Sequence, residues 1–311
     1  MPHTKSLKDM PIDFQFVDSV HQFLVLSKWS LTRLAKSSGI SASALSQFLD
    51  NKYPGDVAKI KEKLTSVLDR ESEKTSLKNN NPHFIETSIS KRLFEAAKGC
   101  SLFCDMGMCY GDAGIGKTQA VREYAARHAD CILVECLPGY MPRAFLHALQ
   151  DKICKSECKT LDAIFTTIVD KIKHSGRLII IDEAEKLPYR TLEYIRRIHD
   201  FAEIGILLVG MPELLGNIRG FNNQYRQLFS RIAMAIKLDN ITIDDARGIV
   251  GILSPGDEDL TKVFYATGDC NARRMTKIIK RAAYISQINN SPIDTKTIQK
   301  AAEIVKVEVM S

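Results

Sequence analysis

The sequence predicts an α/β protein in which a doubly wound, parallel five-stranded sheet carries a helical lid and follows a helix-turn-helix domain. Three observations predict it. The stretch Gly111-Asp112-Ala113-Gly114-Ile115-Gly116-Lys117-Thr118 fits the phosphate-loop pattern G-x-x-x-x-G-K-[ST] at every fixed position. The run Leu178-Ile179-Ile180-Ile181 ends in Asp182-Glu183, as a buried parallel strand with carboxylates at its C-terminal tip would. Other strand-like runs alternate with helical ones as far as Leu238, the grammar of crossover connections.

In chain order, residues 14–26 read as a first helix, and residues 29–53 as two short helices around a turn. Leu31, Leu34 and Ala35 share a face of one; Leu45, Phe48 and Leu49 share a face of the other. Gly39 supplies the tight turn, Ile40 plugs the core between the helices and Ser41 N-caps the second. This is helix-turn-helix spacing. It leaves Ser41, Ser43, Ala44, Ser46 and Gln47 outward and Lys52 within reach of a phosphate, which suits loose contact with a DNA groove. A small helical bundle for protein contacts is the other reading. Residues 57–68 continue as a helix striped with Ile60, Leu64, Val67 and Leu68. The polar, turn-rich residues 71–81, ahead of Pro82, read as a linker. The boundaries drawn are 1–75 for the helix-turn-helix domain, 76–88 for the linker, 89–238 for the sheet domain and 239–311 for the lid.

Within the sheet domain a helix over residues 89–98 is capped by Thr87 or Ser88. Strands are expected at 106–110, 131–136, 178–181, 206–210 and 234–238, with helices at 119–125, 144–153, 161–174 and 191–201. The glycines of the phosphate loop let successive N–H groups converge on phosphate oxygens. Lys117 would reach the β- and γ-phosphates, and Thr118 would take one Mg²⁺ position. The helix after the loop brings its positive dipole end beneath the phosphates. Asp182 would hold the Mg²⁺ through water, and Glu183 would polarise the attacking water. A core strand followed by a solvated acidic turn is the alternative for the second motif taken alone. Together the two motifs imply ATP hydrolysis.

Two later features bear on the type of site. Arg231, just before the last strand, lies at a domain edge where a neighbouring subunit's γ-phosphate would meet it as an arginine finger. Arg226 is the alternate, and a surface arginine capping a helix is the plain reading. Residues 268–281 read as one divided helix, with Met275, Ile278, Ile279 and Ala282 on one side and Arg273, Arg274, Lys277, Lys280 and Arg281 on the other. Arg273 is the choice for a nucleotide contact, and Lys277, Lys280 and Arg281 for DNA phosphates; a solvated face is the alternative. The basic connection at 152–159 is either DNA-facing or merely solvated.

Composition sets bounds. A chain of 311 residues has room for about two domains. Hydrophobic content of 45% and charged content of 26% are ordinary for a globular protein. A net charge of +6 permits a polyanionic partner without requiring one. No apolar run reaches membrane-spanning length and the N-terminus lacks a signal-peptide core, so a cytosolic protein without membrane contact is expected. The eight cysteines contain no C-x-x-C and read as reduced, mostly buried thiols rather than zinc ligands.

The phosphate loop, the Asp182-Glu183 strand tip, Ser230-Arg231 before the last strand and the arginine-bearing lid together resemble the AAA+ ATPases. Adding Phe48-Leu49-Asp50-Asn51-Lys52-Tyr53-Pro54-Gly55-Asp56 and Leu228-Phe229-Ser230-Arg231-Ile232-Ala233, the chain resembles the transposition B proteins of Mu-type phages over nearly its whole length. The resemblance implies an ATP-dependent protein that binds double-stranded DNA with little sequence preference. Such a protein polymerises on target DNA as a filament or ring, and recruits and stimulates a transposase in a bacterial host. By position it implies Lys117 and Thr118 for nucleotide and Mg²⁺, Asp182 and Glu183 as catalytic acids, Arg231 as the finger and Arg273 as the lid arginine. One departure stands out. The polar sensor expected after the fourth strand is Met211, so either another group such as Asn217 substitutes or hydrolysis is slow.

Two other functions compete. One is a helix-turn-helix transcription regulator with a nucleotide-switch ATPase domain, holding one operator as a small closed oligomer. The serines of the second short helix, and its lack of arginine, weigh against that. The other is a motor-like partner of a membrane secretion system, against which the absence of an apolar span weighs.

Overall fold

The structure, a computed structural model, describes residues 14–78, 84–154, 158, 160–220, 225–251, 253, 254 and 256–307. The chain divides into two compact units, Met1–Asn81 and Pro82–Ser311.

The first unit holds α1 (Phe14–Ser27), α2 (Leu31–Ser38), α3 (Ala42–Leu49) and α4 (Val57–Lys78). Gly39 ends α2 at φ +61°, a left-handed turn that a side chain would resist, and Ser41 caps α3 by accepting the Ala44 N–H. Leu34, Leu45, Phe48, Leu64 and Val20 are fully buried between the helices. One expectation is corrected: α4 does not stop near Leu68 but continues to Lys78. The polar stretch from Glu71 contains no glycine or proline to halt a helix. Of the expected linker, residues 79–83 lie outside the described residues.

The second unit runs α5 (Ser88–Phe103), β1 (Met106–Gly111), α6 (Lys117–Arg127), β2 (Cys131–Glu135), α7 (Pro142–Ile153), α8 (Leu161–Ile172) and β3 (Leu178–Asp182). It continues α9 (Tyr189–Ala202), β4 (Gly205–Gly210), α10 (Glu213–Arg219), α11 (Arg226–Phe229) and β5 (Ile232–Leu238). Four helices close it: α12 (Ile243–Val250), α13 (Glu258–Thr267), α14 (Ala272–Asn289) and α15 (Thr295–Val307). The five strands form one sheet in the order β2-β3-β4-β1-β5, and every pairing is parallel. The apolar strand runs follow from this, since helices cover both faces. Alternate residues serve opposite cores: Ile179, Ile181, Ile206 and Leu208 on one face, Leu178, Ile180, Leu207 and Val209 on the other.

The C-terminal helices are less separate than the sequence suggests. Phe264, Met275, Ile278, Ala282, Ile298 and Ala301 share one buried cluster with Leu93 and Ala97 of α5, Val121 of α6 and the sheet. Ser88 fastens this arrangement, its N–H and hydroxyl both donating to the Asp245 carboxylate at 2.6 Å. The divided helix read from Gly268 starts instead at Ala272, because Asn271 takes the N-cap and stops the helix there. Part of the basic connection, residues 155–157 and 159, lies outside the described residues. Among the described residues no helix is long and apolar enough to cross a membrane. All eight cysteines are free thiols, and burial pushes Cys100, Cys109, Cys131 and Cys136 up to about 12.

Candidate functional site

Parallel pairing brings the C-terminal tips of β1, β3 and β4 to one edge of the sheet, with β4 between the other two. In open α/β sheets this is the ligand edge. The loop from Asp112 to Gly116 leaves the β1 tip and enters α6 at Lys117. Gly114 and Gly116 sit at φ +80° and +108°, conformations open to glycine and strained for other residues. No side chain caps α6, so the N–H groups of its first turn are available to an anion. Lys117 folds back over the loop, its Nζ donating to the carbonyls of Gly111 at 2.6 Å and Asp112 at 2.7 Å. Burial lowers the Lys117 pKa and the nearby Arg273 charge adds to that, while Asp182, Glu185 and Asp112 oppose. An arriving phosphate would give the ammonium an anionic partner in place of two neutral carbonyls.

Asp182 ends β3 with 1% of its surface exposed. One carboxylate oxygen accepts the Glu183 N–H at 3.0 Å. The other, Oδ2, is buried without a hydrogen bond of good geometry from the protein. Burial raises the Asp182 pKa; the Thr118 hydroxyl and the Glu183 amide oppose the rise. A buried, underused carboxylate oxygen beside a threonine hydroxyl fits an oxygen-seeking Mg²⁺. Glu183 follows in the left-handed region at φ +57°, which turns its side chain out of the strand alternation. Its carboxylate pairs with Lys186.

The β4 tip supplies a contact that the sequence did not disclose. Glu185 Oε2 accepts the Met211 N–H at 3.2 Å, and Asn217 donates through Nδ2 to the Glu185 carbonyl at 2.8 Å. The polar group set against the backbone of Met211 is therefore the carboxylate of Glu185. Asn217 spends its amide holding that segment.

The lid meets the loop through the start of α14. Arg273 donates its backbone N–H to the Gly114 carbonyl at 2.9 Å, and Asn271 donates through Nδ2 to the Ala113 carbonyl at 2.7 Å. Arg273 is exposed, with its charge felt at Lys117. Arg274, read as part of the basic face, is instead half-buried and pairs with Asp269 at 3.4 Å. Lys277 and Lys280 are exposed and Arg281 is partly so.

Arg231 is not at this edge. The register pairs Met106 with Ile232 and Gly111 with Leu238, so Arg231 precedes β5 at the opposite end of the sheet. The six residues of β1 alongside it span roughly 17 Å at about 3.3 Å per residue. There Arg231 donates to Asp200 of α9 at 2.9 Å beside a cavity of about 440 Å³ that also touches Cys104, His199 and Glu203. Arg226 is exposed on α11. In the first unit Ser41, Ser43, Ser46, Gln47 and Lys52 are all exposed, whereas Ala44 is half-buried; the Ser41 hydroxyl is already engaged in capping α3.

Residues 104–218 match the family model described as an AAA domain. Over 238 residues, 75% of this chain and 83% of the relative, the chain is 29% identical to the Mu-like prophage FluMu DNA transposition protein B of Haemophilus influenzae. Over 235 residues, 70% of each, it is 27% identical to the ATP-dependent target DNA activator B of Escherichia phage Mu. Among solved structures it is similar to CDC6P of Pyrobaculum aerophilum, at 16% identity over 74% of this chain and 70% of that one, with a TM-score of 0.57. It is also similar to the ORC2 protein of Aeropyrum pernix, at 18% identity over 73% and 71%, with a TM-score of 0.55. These two are likenesses of fold. The match over residues 104–218 and the phosphate loop within them make this region an AAA ATPase domain.

Proposed function

We propose that the chain is an ATP-dependent, largely sequence-indifferent DNA-binding ATPase that polymerises on target DNA and recruits and stimulates a transposase. The observation that carries the reading is the placement of Arg231 a full strand length from its own phosphate loop. An arginine there completes a nucleotide site only in a neighbouring copy, so bound ATP becomes the joint between subunits. ATP that binds the assembled form better than the free form drives assembly by linkage. The similarity to a transposition protein B and to a target DNA activator supports the choice of DNA as the track.

In this reading Gly111 to Thr118 cradle the phosphates, Lys117 neutralises the β- and γ-phosphates, and Arg273 reaches the nucleotide from the lid. Thr118 and Asp182 would hold Mg²⁺, which when bound offsets phosphate charge. Glu183 takes the proton of the attacking water once Lys186 releases it. Arg231 of a neighbouring copy stabilises the charge that develops on the γ-phosphate. DNA contact falls to Ser41, Ser43, Ser46, Gln47 and Lys52 of a helix-turn-helix, and to the stripe of Lys277, Lys280 and Arg281. Weak contacts per subunit add up along a polymer through effective concentration. The setting is the cytoplasm of a bacterial host.

The test is duplex-DNA binding with ATP, with ADP and without nucleotide, across salt concentrations, with electron micrographs of the same samples. Tight, uniform coverage only with ATP is expected. Equal DNA affinity in all three states, or one protected operator site, would overturn the reading.

A further inference from the structure

The contact between the lid and the phosphate loop is built from one side chain used twice. Asn271 caps α14 by accepting the Arg274 N–H on Oδ1 at 3.1 Å. With the other half of the same amide it donates to the Ala113 carbonyl at 2.7 Å. The two partners fix the amide's orientation, since a flipped group would face a donor with its NH₂ and an acceptor with its oxygen. Two residues on, the Arg273 N–H closes a second bond onto the next loop carbonyl, Gly114. The fit is close: a Cβ added to Gly114 would lie 2.4 Å from Asn271 Oδ1.

These bonds engage loop carbonyls. A phosphate is held by the N–H groups of the same peptides, which point the opposite way from the carbonyls in a planar trans unit. Fixing the carbonyls toward the lid therefore aims the N–H groups at the nucleotide position before the nucleotide arrives. The geometry points to Asn271 as a positioning residue: a latch that joins the lid to the phosphate loop, preorganises the loop for polyphosphate and sets Arg273 over it. This rests on the reading of the loop as the ATP site. The gain is one of preorganisation, with the ordering of the loop made in advance.

Asn271→Ser separates the two uses of the side chain. Serine caps a helix as well as asparagine does but is too short to reach Ala113 at the same time. Asn271→Ala removes both uses. Affinity for fluorescent ATP and ADP analogues with Mg²⁺ is measured alongside thermal unfolding, with Lys117→Ala as control. Asn271→Ser is expected to weaken both nucleotides at least threefold and up to about tenfold, the scale of one hydrogen bond, with a melting temperature lowered only by the loss of that one bond because the cap is kept. Asn271→Ala should show the same affinity loss with a lower melting temperature. A loss under threefold in Asn271→Ser, or an affinity loss that grows in step with the fall in melting temperature from Asn271→Ser to Asn271→Ala, overturns the latch. If wild type and Lys117→Ala bind ATP alike, it is the nucleotide reading that fails instead.

Discussion

Arg231 Nε donates to Asp200 Oδ1 at 2.9 Å, an ion pair that parks the guanidinium at the end of the sheet remote from Lys117. Asp200 is shared, since Arg196 also bonds its carboxylate. The pairing holds Arg231 at half exposure, open to the neighbouring copy of the proposed assembly. Arg231→Ala should lower turnover by about 10³-fold, the lower end of what an arginine finger contributes, while leaving the nucleotide affinity of the free subunit within twofold. Mixing experiments make the prediction sharper. Lys117→Ala keeps its Arg231 but loses its site, and Arg231→Ala keeps its site but loses its finger, so a mixture of the two should recover ATPase activity that neither shows alone. A mixture as inactive as its parts would place Arg231 outside the catalytic joint.

Glu183 is engaged by Lys186, and a base held by an ammonium is diverted from water. Glu183→Gln should bind ATP, lose turnover and hold the DNA-bound polymer. Lys186→Ala should raise turnover in the absence of DNA, by at most about fivefold, because an exposed ion pair contributes about 0.2–1 kcal/mol. Steady-state hydrolysis with and without duplex distinguishes these outcomes. Unchanged hydrolysis in Glu183→Gln would remove that residue from the mechanism.

Asp245 links folding to pH. Burial alone would raise its pKa, but hydrogen bonds from Ser88 and Thr242 prevail and hold it below the usual aspartate value. A group whose pKa is lower in the folded state stabilises fully above its unfolded value and loses that stabilisation as pH falls through the folded one. Asp245→Asn should cost about 1–3 kcal/mol at pH 7, the scale for disrupting hydrogen bonds to a buried charged group. The gap between variant and wild type should narrow as the pH drops below about 4. Denaturant unfolding at pH 7 and pH 3.5 measures it, and a gap that widens in acid would contradict the assignment.

The sequence made the sheet legible because each central strand must be apolar on both faces, and Leu178–Ile181 and Ile206–Val209 satisfy that over consecutive residues. The phosphate loop was legible because its glycines answer to backbone conformation rather than to distant neighbours. What escaped depends on contacts remote in the chain. Asn271 reads locally as a helix cap, and nothing in its neighbourhood announces Ala113, 158 positions away. Glu185 reads as one acid in a polar turn until β4 places the Met211 amide against it. The lid looked independent because an amphipathic helix reveals that a face is covered but not by what.

The two proposed DNA surfaces can be told apart by salt. Each lysine or arginine that neutralises a duplex phosphate steepens the fall of log affinity with log salt by about 0.9. Lys52 is a single exposed cation beyond α3, so Lys52→Ala should flatten that slope by about 0.9 per contributing subunit. Replacing Lys277, Lys280 and Arg281 together by alanine should flatten it by up to about 2.7 per contributing subunit, if the stripe lies along the backbone. Because these contacts go to phosphates, both variants should weaken binding evenly across unrelated sequences. Titrations on two duplexes of different sequence, with ATP present throughout, give slope and sequence dependence together. An unaltered slope in the triple variant assigns the stripe to solvent and leaves the first unit to carry the contact. An unaltered slope in Lys52→Ala, with the triple variant flattened, assigns it to the lid.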